Sequence, residues 1–137
     1  MKYLKIVTPI VFLLMISCSA QNKANNFNLI SYEAQTRGSI VKIKIEDNKI
    51  SYNTYNGVGV YKLSEEKLKN LNELVSELNL KEIKNLKAPT KNSATDRALI
   101  AKITFKLKDV EYTSSTFDSG NPPKELKKPS ISSVFSS

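Results

Sequence analysis

The chain of 137 residues contains no histidine and no tryptophan, a single cysteine and four glycines. Without histidine it lacks the commonest general base and the commonest metal ligand. The glycines, at positions 38, 57, 59 and 120, are scattered in turns, so no phosphate-cradling loop is present. No carboxylates cluster at metal-ligand spacing. Long apolar runs are scarce as well. The one at residues 6–16 is shorter than the roughly 20 residues a helix needs to cross a bilayer. A serine–lysine catalytic pair would need a pocket to organise it, and counting two abundant residue types cannot reveal one. Neither enzymatic activity nor a metal or other cofactor is expected.

What is present at the amino end is more specific. Lys2 and Lys5 precede the apolar run, which leads into Cys18 through Leu13-Leu14-Met15-Ile16-Ser17-Cys18-Ser19. A basic start, about a dozen apolar residues and a small residue before the cut make a secretory signal peptide. An exported protein with one thiol has no disulfide partner for it, so Cys18 calls for another use. The string Met15-Ile16-Ser17-Cys18 resembles the lipobox of bacterial lipoproteins. That pattern prefers Leu, Val or Ile where Met15 stands, and Ile16 and Ser17 fit it. The resemblance implies lipidation of Cys18, which becomes the first mature residue and holds the chain to the bilayer. Each buried CH₂ contributes about 0.8 kcal/mol, so two or three acyl chains give a lasting anchor. Ser19, where an aspartate would retain the protein at the inner membrane, implies sorting to the outer membrane. The alternative is an ordinary signal peptide cut near Ala20.

The formal charge is +8, two less once Lys2 and Lys5 leave with the signal. Arg37 and Arg97 are the only arginines, and the lysines are spread along the whole chain. No dense basic cluster or aromatic-rich motif accompanies them, so nucleic-acid binding is not expected; lysine-rich faces keep a small domain soluble.

Periodicity orders the rest. Residues 18–28 read as an acylated cysteine and polar tether, 29–128 as one domain and 129–137 as a serine-rich tail. Residues 29–34, 40–46, 49–55 and 58–63 read as strands, separated by Thr36-Arg37-Gly38, Asp47-Asn48 and Asn56-Gly57. Alternation is clean where Val41, Ile43 and Ile45 interleave with Lys42, Lys44 and Glu46. Asn-Gly is a strong hairpin signal. At Ser64 the period changes. Leu68, Leu71, Leu74, Val75 and Leu78 share a helical face, which predicts a helix over 64–78 with Ser64 as its cap. A shorter helical piece is expected over 80–86 and a polar loop over 91–96. Strands return at 97–108 and 110–117 about a Lys108-Asp109 turn. Phe117-Asp118-Ser119-Gly120-Asn121-Pro122-Pro123 reads as a turn signature, and a short helix follows over 124–128. The expected fold is α+β: an antiparallel sheet of a four-strand meander and a two-strand hairpin, with a helix between them and a short carboxy-terminal helix, in two layers.

Three places stand out as possible partner contacts. Thr95-Asp96-Arg97 sits where the loop enters a strand, and the plain structural alternative is that Asp96 caps the turn while Arg97 pairs with an acid. Glu33 and Arg37 could form a similar pair. Tyr52, Tyr55 and Tyr61 fall on adjacent hairpin strands, either as an exposed aromatic patch or as filling at the edge of the core.

With Asp96-Arg97-Ala98 and Asn121-Pro122-Pro123-Lys124-Glu125-Leu126 in place, residues 38–128 resemble a group of short uncharacterised lipoprotein domains of Gram-negative bacteria. The layout is more distantly similar to emfourin-type proteinase inhibitors, though the Gly-Gly-rich opening of that family is missing. The first resemblance implies no activity; the second implies an inhibitor. The expectation is a non-enzymatic envelope lipoprotein that binds a protein partner of unknown identity. An inhibitor or immunity-type module, and a histidine-free hydrolase, are the alternatives.

Overall fold

The computed structural model describes residues 26–128. Cys18, the signal segment and the tail 129–137 lie outside the described residues. Strands β1 (Leu29–Thr36), β2 (Ser39–Glu46), β3 (Lys49–Thr54) and β4 (Gly57–Lys62) come first. Helix α1 (Glu65–Ser76) and 3₁₀ turns at Ile83–Asn85 and Asn92–Thr95 follow. Then come β5 (Ile100–Leu107), β6 (Val110–Thr113), β7 (Phe117–Asp118) and helix α2 (Lys124–Lys127). All seven strands form one antiparallel sheet in the order β4-β3-β2-β1-β5-β6, with β7 also paired to β5. The fold is α+β, as the alternating strands and the single change of period imply.

Register turns the alternation into a core. Opposed residues line up across the sheet as Ile50, Ile45, Ile30, Phe105 and Tyr112. A second row is Tyr52, Ile43, Tyr32 and Ile103, and a third is Val41, Ala34, Ala101 and Phe117. Ile30, Ile45, Ala34, Ala101 and Phe105 are fully enclosed, in one apolar cluster with Leu71 and Val75 of α1, Ile83 and Leu126. The other face is polar at its centre and carries exposed Val58 and Val60 at its β4 edge. There Glu33 sits between Lys42 at 3.9 Å and Lys102 at 3.3 Å, and Lys44 meets Glu46 at 2.7 Å. These exposed pairs are worth little each, but they keep that face charged and solvated.

Several boundaries differ from those expected. The ladder reaches Asn28, where the tether was expected to end: the Asn28 amide donates to the Lys106 carbonyl at 2.7 Å, and its side chain accepts from the Lys108 amide at 2.6 Å. The third turn is Tyr55-Asn56, not Asn56-Gly57, so Gly57 opens β4 and Tyr55 lies off the strand. Asp47 and Asn48 both adopt positive φ, the geometry of a type I′ hairpin turn. Lys108 also adopts positive φ, and the Lys108-Asp109 turn forms as expected. Helix α1 is capped by Ser64, whose Oγ accepts from the Lys67 amide at 3.3 Å, and it stops at Ser76. Only Ile83–Asn85 coils in the expected piece over 80–86, with Ile83 turned into the core. A second 3₁₀ turn occupies the expected loop, which delays the next strand to Ile100.

The expected strand 110–117 is broken in two. Buried Ser114 supplies its hydroxyl as acceptor for the Ile103 amide at 3.0 Å, replacing a ladder carbonyl. Ser115 then turns away to the 3₁₀ turn, its amide donating to the Ile83 carbonyl at 3.2 Å and its hydroxyl to the Leu86 carbonyl. A serine side chain that competes with the ladder is a local cause for such a break. The chain rejoins β5 at Phe117, so the two-strand hairpin becomes a three-strand unit.

Gly59 shows how closely β3 and β4 pack. The Tyr52 ring lies directly over it, where a Cβ would overlap Cε1, Cζ and the hydroxyl. Gly59→Ala should therefore swing the ring off the strand. The expected cost is about 1 kcal/mol, because the obstructing atoms are the movable end of a side chain. A loss of near-ultraviolet dichroism with an intact far-ultraviolet spectrum would register it; unchanged tyrosine signals would contradict it.

Candidate functional site

The hairpin turn between β1 and β2, that between β3 and β4, and residues 93–98 meet at one end of the sheet. Two adjoining open grooves lie there. One, of about 350 Å³, runs between the two turns and is lined by Arg37, Ile40, Thr54 and Tyr55. The other, of about 450 Å³, is lined by Arg37, Ser93, Asp96 and Ile100. Gln35, Thr36 and Arg37 border both. Arg37 thus stands on the ridge between them, with Tyr55 on one side and Asp96 on the other.

Each of these residues is held by its local backbone. Arg37 is at a two-residue turn closed by the Thr36–Ser39 pair, so its side chain starts beyond the end of the sheet. Tyr55 is similarly at a turn tip and is 85 % exposed; the Thr54 hydroxyl stiffens that turn, accepting from the Asn56 amide at 3.2 Å and donating to the Gly57 carbonyl at 3.2 Å. Asp96 is in the left-handed region, φ 55°, where it ends the 3₁₀ turn by donating its amide to the Ser93 carbonyl at 3.3 Å. Ile40 and Ile100 add exposed apolar surface beside them.

The six residues singled out in the sequence thus divide. Arg37, Tyr55 and Asp96 gather at the groove end. Tyr52 and Tyr61 lie elsewhere, stacked on the β3–β4 ribbon with ring centroids 5.6 Å apart and planes 12° from parallel. The Tyr61 side chain, through hydrogen bonding and then its charge, raises the Tyr52 phenol above its ordinary value. Tyr52 is half-buried and Tyr61 exposed, and neither belongs to the apolar core cluster. Arg97 is exposed and lines neither groove. The pairings considered for the arginines are not made. Among the described residues Glu33 engages Lys42 and Lys102 instead of Arg37, and no ion pair joins Asp96 to Arg97.

The residue that sequence reasoning passed over is Asp118. It is 2 % exposed. One carboxylate oxygen accepts from the Thr90 hydroxyl at 2.5 Å and the Asn92 amide at 2.7 Å, and the other accepts from the Ser93 amide at 2.9 Å. The Asn121 side-chain amide donates to the Thr90 hydroxyl at 3.0 Å and closes the network. Next to it, the Tyr32 and Ser119 hydroxyls share a hydrogen bond of 2.7 Å, tying the carboxy-terminal turn to β1. Hydrogen bonds from Thr90 and Ser93 outweigh desolvation and hold the Asp118 carboxyl well below the ordinary carboxylate range. Asp96 closes the carboxy-terminal end of this 3₁₀ turn through its backbone, as one reading of the sequence expected, while the Asp118 side chain caps the amino-terminal end, and by fixing Asn92 and Ser93 it sets the wall of the larger groove. The only sequence signal was an aspartate in a Ser-Gly-Asn-Pro-Pro context, which marks a turn but not what the carboxylate binds.

Chemically, the groove end offers a guanidinium, a carboxylate, a phenol, amides and hydroxyls flanked by isoleucines. That set can pair ions and donate and accept hydrogen bonds over an extended surface. Among the described residues no cluster of three acids or cysteines could hold a metal, and no helix is long and apolar enough to cross a membrane. Comparison with family models, with curated proteins and with solved structures finds no match.

Proposed function

We propose that this chain is an envelope lipoprotein, acylated on Cys18 and sorted to the outer membrane, whose domain binds a protein partner without catalysing a reaction. We further read the fold as two layers, with α1 covering one face of the sheet; the burial of Leu71 and Val75 in the same cluster as Ile30 and Ile45 supports this. The gathering of Arg37, Tyr55 and Asp96 around open grooves carries the binding reading. Arginine and tyrosine are the residue types that most often dominate protein interfaces, and the flanking Ile40 and Ile100 supply apolar area. The anchor rests on the lipobox-like Met15-Ile16-Ser17-Cys18.

Two measurements test the proposal. Metabolic labelling with a fatty acid should mark the wild type and leave Cys18→Ala unlabelled; label on the variant, or none on the wild type, rejects the anchor. Affinity capture from envelope extract should recover a defined protein, and Arg37→Glu should weaken that capture about tenfold, as loss of an interfacial arginine does. Capture unaffected by both Arg37→Glu and Tyr55→Ala would remove the groove end from the interface. If the recovered protein is one protease or toxin whose activity falls on binding, the alternative of an inhibitor or immunity-type module takes over. A hydrolase would instead need a lysine beside a serine in an enclosed pocket.

A further inference from the structure

We propose that β4 is a self-pairing edge: two copies of the chain join β4 to β4, antiparallel, about a two-fold axis at Val60, to make one continuous sheet. The two ends of the sheet are built differently. Edge strand β6 is four residues long, carries Glu111, and is followed at once by the detour at Ser114. Strand β4 is six residues long, Gly-Val-Gly-Val-Tyr-Lys, with no acid, no proline and one lysine at its end. Val58 is 73 % exposed, Val60 63 % and Tyr61 59 %. Edges that must stay unpaired are normally shortened, charged or bulged, and β4 has none of these protections until Lys62.

The backbone fixes what can pair with it. The two-residue turn closes on Thr54 and Gly57, so the hydrogen-bonded pairs with β3 fall on Gly57, Gly59 and Tyr61. The Leu63 amide, donating to the Asn48 carbonyl at 2.7 Å, continues that parity. Val58, Val60 and Lys62 therefore turn their N–H and C=O groups outward. An axis at Val60 pairs all three: Val60 faces Val60 of the second copy, and Val58 faces Lys62. Shifting the axis by one residue either way leaves Val58 or Lys62 without a partner. In the favoured register no two charges meet, because each lysine lies opposite a valine; like charges placed opposite would repel.

The other face agrees. In this register Gly59 lies opposite Tyr61 of the second copy. Gly59 is the position that the Tyr52 ring covers, reaching across β4 to the edge, where it stacks on Tyr61. Pairing would bring Tyr52 of each copy into one row with Tyr61 of the other, two neighbouring rows that make one aromatic cluster, with Val60 opposed to Val60 on the reverse face. A strand whose register, charge and aromatic pattern all complement themselves about one point identifies a second copy as the occupant, rather than an unrelated strand.

Disulfide trapping in membranes containing the full-length protein tests this. Opposed residues of a hydrogen-bonded pair have Cα atoms about 5.5 Å apart, within disulfide range. Val60→Cys should thus cross-link to a dimer on oxidation. Val58→Cys, on the same strand and at least as exposed, would lie about 14 Å from its own copy and should cross-link about tenfold less. The wild type, with Cys18 alone, sets the baseline. Equal trapping of the two variants, or no dimer from Val60→Cys, overturns the proposal. A Val60→Cys cross-link to a different protein overturns the identification of the occupant. As a second readout, the detergent-solubilised wild type should sediment as a dimer and Val60→Lys, with two ammonium groups at the axis, as a monomer. A wild-type monomer, or a dimer that Val60→Lys leaves intact, also overturns it.

Discussion

Asp118→Ala is expected to lower Tm by roughly 10 °C and to loosen residues 90–98 before the rest of the domain unfolds. The physical reason is the number of donors that lose one acceptor. The Thr90 hydroxyl and the Asn92 and Ser93 amides all converge on this carboxylate, in a setting only 2 % open to solvent. Unsatisfied buried donors cost more than the same bonds contribute when made. Asp118→Asn should not rescue it. Whichever way the amide is turned, its NH₂ group faces a backbone N–H, Asn92 on one side or Ser93 on the other. Hydrogen exchange at Asn92 and Ser93 would locate the opening, and a variant that melts like the wild type would refute the assignment.

The same carboxylate gives the protein a defined acid limit. Its folded-state value is depressed, so its contribution to stability is complete above the ordinary carboxylate range and is lost as pH falls below about 4, towards the lower folded value. Denaturation midpoints measured across that window should fall with pH for the wild type and fall less steeply for Asp118→Asn. Parallel curves would show that other carboxylates set the acid limit.

Phe105→Ala is expected to have the larger effect on global stability. Phe105 is fully enclosed at the crossing of β1, β5 and β6, with Ile30 on one side and Tyr112 on the other. Truncating such a ring costs about 3–5 kcal/mol, the lost transfer energy plus the cavity left behind. Domains of this kind hold only about 5–15 kcal/mol in total, so the variant should lose a large share of its stability, read as a lower urea midpoint. Ile100→Ala, five residues earlier on the same strand and therefore on the solvated face, should shift the urea midpoint hardly at all. A small loss at Phe105 would mean that the cavity collapses, with Tyr112 moving in.

Period-two alternation made Val41, Ile43 and Ile45 legible as one inward face, and the change of period at Ser64 located α1 and its cap. These signals are local, and each depends on which residues share a face. The break at Ser114 left only an indirect trace, in that Tyr112 and Phe117, five residues apart, cannot both face inward along one continuous strand; only the three-dimensional position of the Ile103 amide explains the serine. The Tyr55-Asn56 turn was missed by one residue for a similar reason: Asn-Gly favours positive φ, but the register with β2 fixed where the hairpin closed. At the groove end, Arg37 and Asp96 were separately visible as polar residues near turns. That they share a groove follows from β1 lying beside β5, and no pattern in either segment contains that adjacency.

That adjacency also sets an order of assembly. Strands β1 to β4 can form hairpin by hairpin, each from residues close in the chain and each closed by a two-residue turn. The second side of β1 has to wait for β5, about 70 residues later in the chain, and long-range pairing of this kind is slow. Until β5 arrives, Ile30, Tyr32 and Ala34 lie along an open strand margin in the middle of the future sheet. Newly made chains are therefore most vulnerable to mispairing at β1, the strand that is best protected once folding is complete.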